Sequence, residues 1–348
     1  MNGTMKAAVM NKVGEIKLET LDIPTPKDDQ VLVKIKHVGI CGSDVHYFEH
    51  GRIGDFVVRD PIILGHESAG EVVEVGRNVK HLKVGDKVTL EPGYTCGKCE
   101  YCKTGRYNLC PDVVFMATPP YNGAFVEYVA YPADMAFKLP ENMDTVEGAL
   151  IEPLAVGLHA ARTADAHIGQ TAVVLGAGCI GLVTLMSLKA MGVSEVYVSD
   201  VIEKRLDKAL ECGASGVIRA DKEDTVEAIN KLTNGQGADL VFETAGNKIT
   251  TKQTVNLVKR GGKIVLVGMA PDATIDYDFI SLISKEASIS TVFRYRNLYP
   301  TGIKAVSSGL IPIRKIVTNF FKFEDTQYAM KYSIENARDM VKGVIEFD

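Results

Sequence analysis

Thr171-Ala-Val-Val-Leu-Gly-Ala-Gly-Cys-Ile-Gly181 is the stretch that decides the fold. Its first five residues read as a short buried strand, Thr171–Leu175. Gly176, Gly178 and Gly181 follow in G-x-G-x-x-G spacing, with Cys179 and Ile180 inside the turn, and a helical run continues to about Met191. Glu195–Ser199 reads as the next strand and ends in Asp200, an acid about 20 residues beyond the glycines. Glycine alone lets the backbone turn this tightly and approach a pyrophosphate. The helix N-terminus then offers that anion free N–H groups and a partial positive charge.

Outward from this stretch, strands are expected at Gly216–Ala220, Asp239–Glu243 and Lys263–Met269, with helical runs between them. Repeated β-α units imply an α/β, doubly wound parallel sheet of the Rossmann type. Asp200 suits the ribose hydroxyls and repels a 2′-phosphate, which favours NAD over NADP. Arg205, about one helical turn on, is placed to cover the adenine but not to receive a 2′-phosphate.

The N-terminal part has another texture. Lys6–Met10, Ile16–Leu21, Val31–Val38, Gly70–Gly76 and Lys87–Leu90 are short, β-branched runs separated by Gly, Pro and Asp, which suggests a barrel-like, mostly β domain. Asp144 and Glu147 form a capping box for a helix expected to end near Leu150, with a second helix beginning at Pro153. Glu152 falls at that break, as a solvated joint residue or as a carboxylate aimed into a site.

A chain of 348 residues suggests two domains. A net charge of −5 without a basic block argues against nucleic acid or an anionic membrane as a partner. No apolar run approaches the roughly 20 residues of a membrane span, and Met1–Lys12 lacks a signal-peptide core, so a cytoplasmic protein is expected. In a reducing compartment, seven cysteines point to metal ligation or burial rather than disulfides.

Two clusters fit that expectation. Cys96, Cys99, Cys102 and Cys110 sit in a polar loop at spacings that wrap one ion. Four thiolates with no vacant position describe a structural zinc site, with an iron–sulfur cluster as the rival. Cys41-Gly-Ser-Asp-Val-His46 and Gly65-His66-Glu67 bring sulfur, nitrogen and oxygen donors that suit a zinc with an open position. A thiolate and a carboxylate together would cancel the ion's 2+ charge.

These motifs, in this order, resemble the zinc-dependent medium-chain dehydrogenases over nearly the whole chain, and within them the sorbitol (polyol) dehydrogenases. The stretches that carry the resemblance are C-G-S-D-V-H-Y at 41–47, G-R-I-G at 51–54, G-H-E at 65–67, A-T-P-P at 117–120, A-L-I-E-P-L at 149–154 and V-F-R-Y at 292–295. The resemblance implies a discontinuous, GroES-like catalytic domain of residues 1–156 and 293–348, folded around an NAD-binding domain of 157–292. It implies catalytic zinc ligands at Cys41, His66 and Glu67. Glu152 stands at the position of the second cysteine of alcohol dehydrogenases proper, as a ligand or as the holder of a zinc-bound water. Ser43 matches the hydroxyl that contacts the reacting alcohol, and His46 continues a proton relay or lies idle at the surface. Tyr47, Phe115, Glu152, Phe293, Arg294 and Tyr295 match substrate-pocket positions. Val267, Gly268, Met269, Val292, Phe293 and Arg294 are implied as further cofactor contacts. The implied reaction is NAD-dependent oxidation of a polyol to a ketose, of the L-iditol 2-dehydrogenase type, by a dimer or tetramer with two zinc ions per chain. L-threonine or a secondary alcohol is the rival substrate, and a cofactor-binding relative without chemistry is the rival from another class. The full cysteine lobe departs from some animal sorbitol dehydrogenases and points to a bacterial type.

Overall fold

The structure, a computed structural model, describes residues 3–270 and 274–348. The chain divides into two compact units. The first takes the residues up to Glu152 together with Tyr299–Ser307 and Val317–Asp348; the second is Pro153–Leu298 with Ser308–Ile316. The divides thus fall at Glu152/Pro153 and Leu298/Tyr299, where the sequence reading placed 156/157 and 292/293. Ser308–Ile316, read with the tail, joins the second unit.

In the first unit Gln30–Gly39 is a central strand of the seven-stranded sheet among the described residues. Val31, Leu32 and Val33 are buried in succession, so both faces are covered at the start of the strand, while Lys34, Lys36 and His37 interrupt the apolar pattern around Ile35 and Val38. Glu67–Val75 pairs along one edge, with Gly39 opposite Glu67. The other edge is shared: Tyr128–Pro132 takes residues 30–34, and Lys342–Glu346 takes residues 37–39. Lys87–Leu90, Ala136–Lys138 and Val317–Lys322 complete a seven-stranded sheet among the described residues. The expected tail helix at Thr326–Tyr332 runs to Glu335.

Helices at Gly42–His50, Glu100–Lys103 and Tyr299–Ser307 were not foreseen. Directly after Gln30–Gly39, Gly42–His50 is helical. Asp44 starts it by accepting the Cys41 N–H at 3.0 Å, the return half of a capping box. The capping box read at Asp144 and Glu147 is present, and it opens the helix Thr145–Ala149. The next helix begins at Ile151, so Pro153 sits in its first turn, where its missing N–H costs nothing.

The second unit is a six-stranded parallel sheet among the described residues. Its strand order is Gly216–Arg219, Glu195–Asp200, Thr171–Leu175, Ala238–Glu243, Val258–Leu266, Ser288–Thr291. The first three strands run outward one way and the last three the other, which is the doubly wound order with its switch point between Thr171–Leu175 and Ala238–Glu243. Among the described residues, no helix is long and apolar enough to cross a membrane.

Candidate metal centre

Two clusters of metal-ligating side chains occur among the described residues, and they are the two read from the sequence. In the cysteine lobe, Cys99 and Cys102 sulfurs stand 3.4 Å apart, Cys96 and Cys110 3.6 Å, and Cys96 and Cys102 4.0 Å. Sulfurs about 2.3 Å from one tetrahedral zinc are about 3.8 Å apart, so these separations bracket the value a single ion requires. They also exceed a disulfide bond of about 2 Å, and all the cysteines are free. Backbone N–H groups of Lys98 and Cys99 point at Cys96 and pull its thiol down to about 7. Cys96 thus favours thiolate, the form that binds metal, whereas burial and the neighbouring sulfurs push Cys99 up to about 11 and burial raises Cys110.

The other cluster is built by the end of one strand, the start of a helix and the start of a second strand. Cys41 follows Gln30–Gly39 and precedes the helix Gly42–His50, and Glu67 opens Glu67–Val75. Ligand atoms of Cys41, His66 and Glu67 all lie within 4.8 Å of one another. Gly39, opposite Glu67, leaves the room: a Cβ there would land on Glu67 Oε2.

Asp44 organises this centre, and the sequence reading gave it no role. It is fully buried. Besides the Cys41 N–H, its carboxylate accepts the Gly65 N–H at 2.8 Å and stands 3.5 Å from His66 Nδ1. With Nδ1 turned to the carboxylate, Nε2 is the nitrogen left for an ion, the arrangement typical of metal-bound histidine. Burial would push the His66 imidazole down, but Asp44 and Cys41 beside it outweigh burial and hold it well above its ordinary value. Surroundings that trap a proton on a buried imidazole are surroundings that favour a cation, so the donor set fits zinc.

The structure adds a second unforeseen partner. Lys342 Nζ lies 2.7 and 2.8 Å from the two Glu67 oxygens, with both side chains buried. Two further charges thus stand beside the expected cancellation of a 2+ ion by one thiolate and one carboxylate. Lys342 adds a formal positive charge and Asp44 a negative one, and these two balance each other.

The remaining candidates distribute as follows. Ser43 is half-buried and His46 exposed, both on the helix Gly42–His50, with the His46 ring edge-on to His50 at 4.6 Å. Phe115 lies 5.7 Å from the His66 ring, ring centre to ring centre. Tyr47 is 3% exposed and packs in the core of the first unit. Glu152 is buried but stands outside the group formed by Cys41, His66 and Glu67. Its charge is felt by Glu91, whose carboxyl is pushed up to about 7 chiefly by burial, against a 2.6 Å hydrogen bond from the Tyr107 hydroxyl.

In the second unit the cofactor candidates gather at the C-terminal ends of the parallel strands, where α/β sheets bind ligands. A Cβ on Gly181 would land on the Gly176 carbonyl oxygen, so helix and strand meet here only through glycine. Cys179 and Ile180 begin the helix Cys179–Ala190 behind Gly178. Asp200 accepts the Ala177 N–H at 2.7 Å and the Ile202 N–H at 2.9 Å, which pins its carboxylate beside the glycine turn. Arg205 Nη1 reaches within 3.9 Å of where a Gly178 Cβ would stand. Val267 and Gly268 donate to the Glu243 carbonyl, Val292 donates to Leu266, and Met269 is 74% exposed. Arg294 adopts φ 56° and lays its guanidinium over the Phe293 ring at 4.9 Å, while Tyr295 is buried. Glu243, which the sequence reading passed over, ties the 244–246 turn by accepting the Ala245 and Gly246 N–H groups.

Known proteins share this architecture. The alcohol dehydrogenase GroES-like domain matches residues 27–141, and the zinc-binding dehydrogenase family matches residues 179–308. An uncharacterized zinc-type alcohol dehydrogenase-like protein of Escherichia coli (strain K12), YdjJ, is 50% identical over 97% of this chain and 98% of its own. A sorbitol dehydrogenase of Bacillus subtilis (strain 168) is 44% identical over 98% and 97%. The crystal structure of an Escherichia coli oxidoreductase/dehydrogenase of unknown specificity superposes with a TM-score of 0.96 at 48% identity, covering 99% of this chain and 100% of that one. With both family domains matched, and relatives of this identity along nearly its whole length, the chain belongs to the zinc-dependent medium-chain dehydrogenases.

Proposed function

We propose that the protein oxidises a polyol such as sorbitol or xylitol to a ketose and passes the hydride to NAD, with one zinc at each of the two clusters. The observation that carries this reading is the meeting of Cys41, His66 and Glu67 beside a buried Asp44, in a chain similar to a sorbitol dehydrogenase along its length. Zinc, when bound, supplies a Lewis acid that eases loss of an alcohol's proton at neutral pH. The rest falls to the protein. Asp44 holds the imidazole in one orientation. Ser43, or a water held by Glu152, carries the hydroxyl proton outward, and His46 continues the relay. Phe115 gives the centre an apolar wall. Arg294 is assigned to the polyol's further hydroxyls, which a simple secondary alcohol lacks.

The proposed cofactor follows from Asp200. Its two backbone bonds leave lone pairs for ribose hydroxyls, and its charge disfavours a 2′-phosphate. A charge-assisted hydrogen bond contributes about 1.5–3 kcal/mol, so Asp200→Ala should weaken NAD use about ten- to a hundredfold. Equal turnover with NADP in the unmutated protein would remove the assignment. A dimer or tetramer in the cytoplasm is proposed as well. Support comes from the edge strand Ser288–Thr291 and the neighbouring Phe279, Ile280 and Ile283, which are 60, 79 and 73% exposed, and from thiols that are all free.

The test is NAD reduction with sorbitol, xylitol, galactitol, L-threonine and 2-butanol, before and after chelation. Polyols should lead the panel, and chelation should stop the reaction. L-threonine or 2-butanol turned over faster than every polyol would move the protein to another substrate class.

A further inference from the structure

Lys342 reaches the metal centre from 275 residues beyond Glu67 in sequence. Its Nζ donates to both Glu67 oxygens and, at 3.0 Å, to the Ile40 carbonyl. Three acceptors use all three ammonium protons, so none remains for a substrate. The lysine is 2% exposed and the glutamate 1%, which makes desolvation of the pair costly unless the charges stay together. Gly39, opposite Glu67 in the sheet register, leaves the space the carboxylate occupies, and the Lys342 ammonium holds it there. The carboxylate is thus a fixed anion, shared between an ammonium and the group it forms with Cys41 and His66.

We propose that Lys342 sets how tightly this centre holds its metal. Without an ion it holds the Glu67 carboxylate in place. With one, it competes for the same carboxylate, and two cations around one buried anion repel each other more strongly than they would in water. The centre is thereby formed before metal arrives, yet holds that metal less tightly than its donors alone would. The proposal rests on the reading that Cys41, His66 and Glu67 bind zinc.

The sign of one change decides it. Removing a partner that only orients a metal ligand weakens binding, typically about 10–100-fold. Removing a competing cation strengthens it. Zinc transfer to a chromophoric chelator should be followed in the full-length protein and in Lys342→Met and Lys342→Arg. Cys41→Ser serves as the reference that lacks the catalytic zinc, so the phase missing from it belongs to this centre. Lys342→Met should hold that zinc roughly tenfold more tightly or better, and Lys342→Arg, which keeps the charge, should stay near the unmutated value. Metal-free Lys342→Met should also melt below the metal-free parent, with the gap narrowing once zinc is loaded. If Lys342→Met does not accumulate folded, Lys342→Gln, a donor without charge, reads the same comparison. Zinc held equally or less tightly by the uncharged variants overturns the proposal. A parent protein whose release matches Cys41→Ser throughout overturns instead the zinc reading on which it rests.

Discussion

Cys41→Ser and His66→Ala should each lower the zinc content from two ions per chain to one and reduce polyol oxidation by more than about a thousandfold. The number follows from what the protein loses. A Lewis acid worth several kcal/mol of charge stabilisation disappears, at about 1.4 kcal/mol per factor of ten. Serine cannot stand in for Cys41, because its hydroxyl does not ionise near neutral pH and is not a soft donor. His66→Ala takes the one nitrogen donor from a group whose other members, Cys41 and Glu67, offer sulfur and oxygen. It also leaves Asp44 buried with its two backbone donors and no imidazole. Both proteins should remain folded, since the sheet around the centre rests on an apolar core and not on the ion. Metal analysis, circular dichroism and NAD reduction on one preparation check all three statements. Oxidation that survives complete loss of this zinc would falsify the mechanism.

Much of this centre was visible before the fold was known, and the missing parts share a cause. Thr171–Leu175 and Lys87–Leu90 have the limits read from the sequence, because a short apolar run between glycines or charges marks its own ends. The cysteine spacings and the G-x-G-x-x-G turn are local as well, and so were readable. The helix Gly42–His50 was not. It contains Gly, Ser, Asp, Val and aromatic residues, none of which favours helix, and it exists because Asp44 caps its start and because Tyr47 and Phe48 pack inward. A signal was present in the acid three residues after Cys41, read then only as part of a motif. Lys342 is the opposite case. K-G-V-I-E at 342–346 shows a lysine at the head of a buried strand, which is unusual enough to mark a partner. Nothing local names Glu67 as that partner, because the contact exists only once Lys342–Glu346 pairs with Gln30–Gly39. Motifs carry ligands; the residues that hold ligands in place arrive through tertiary pairing.

Cys99→Ala should separate stability from chemistry. The cysteine lobe has little else to hold it: its α-helix, Glu100–Lys103, buries no residue, the 3-10 turn Tyr107–Leu109 buries only Asn108, and Tyr101 stands exposed. An ion bound by four sulfurs supplies there what an apolar core supplies elsewhere. Loss of a structural metal belongs with the large destabilising changes, on the order of 4 kcal/mol. At roughly 2–4 °C per kcal/mol for a unit of this size, the melting temperature should fall by about 10 °C. Chemistry should be spared, because a closed shell of thiolates offers no position to substrate. The measurement is therefore paired. Zinc content should drop by one ion, the melting curve should shift, and oxidation per remaining zinc should stay within about threefold of the parent protein. One route between the clusters could make the effects inseparable: Tyr107, three residues before Cys110, donates to Glu91, and Glu91 feels the charge of Glu152. If a folded Cys99→Ala protein keeps the zinc of Cys41, His66 and Glu67 yet loses turnover, that route is in use and the lobe is more than a staple. If the parent protein binds a single zinc, the lobe is empty and its four sulfurs are held by packing alone.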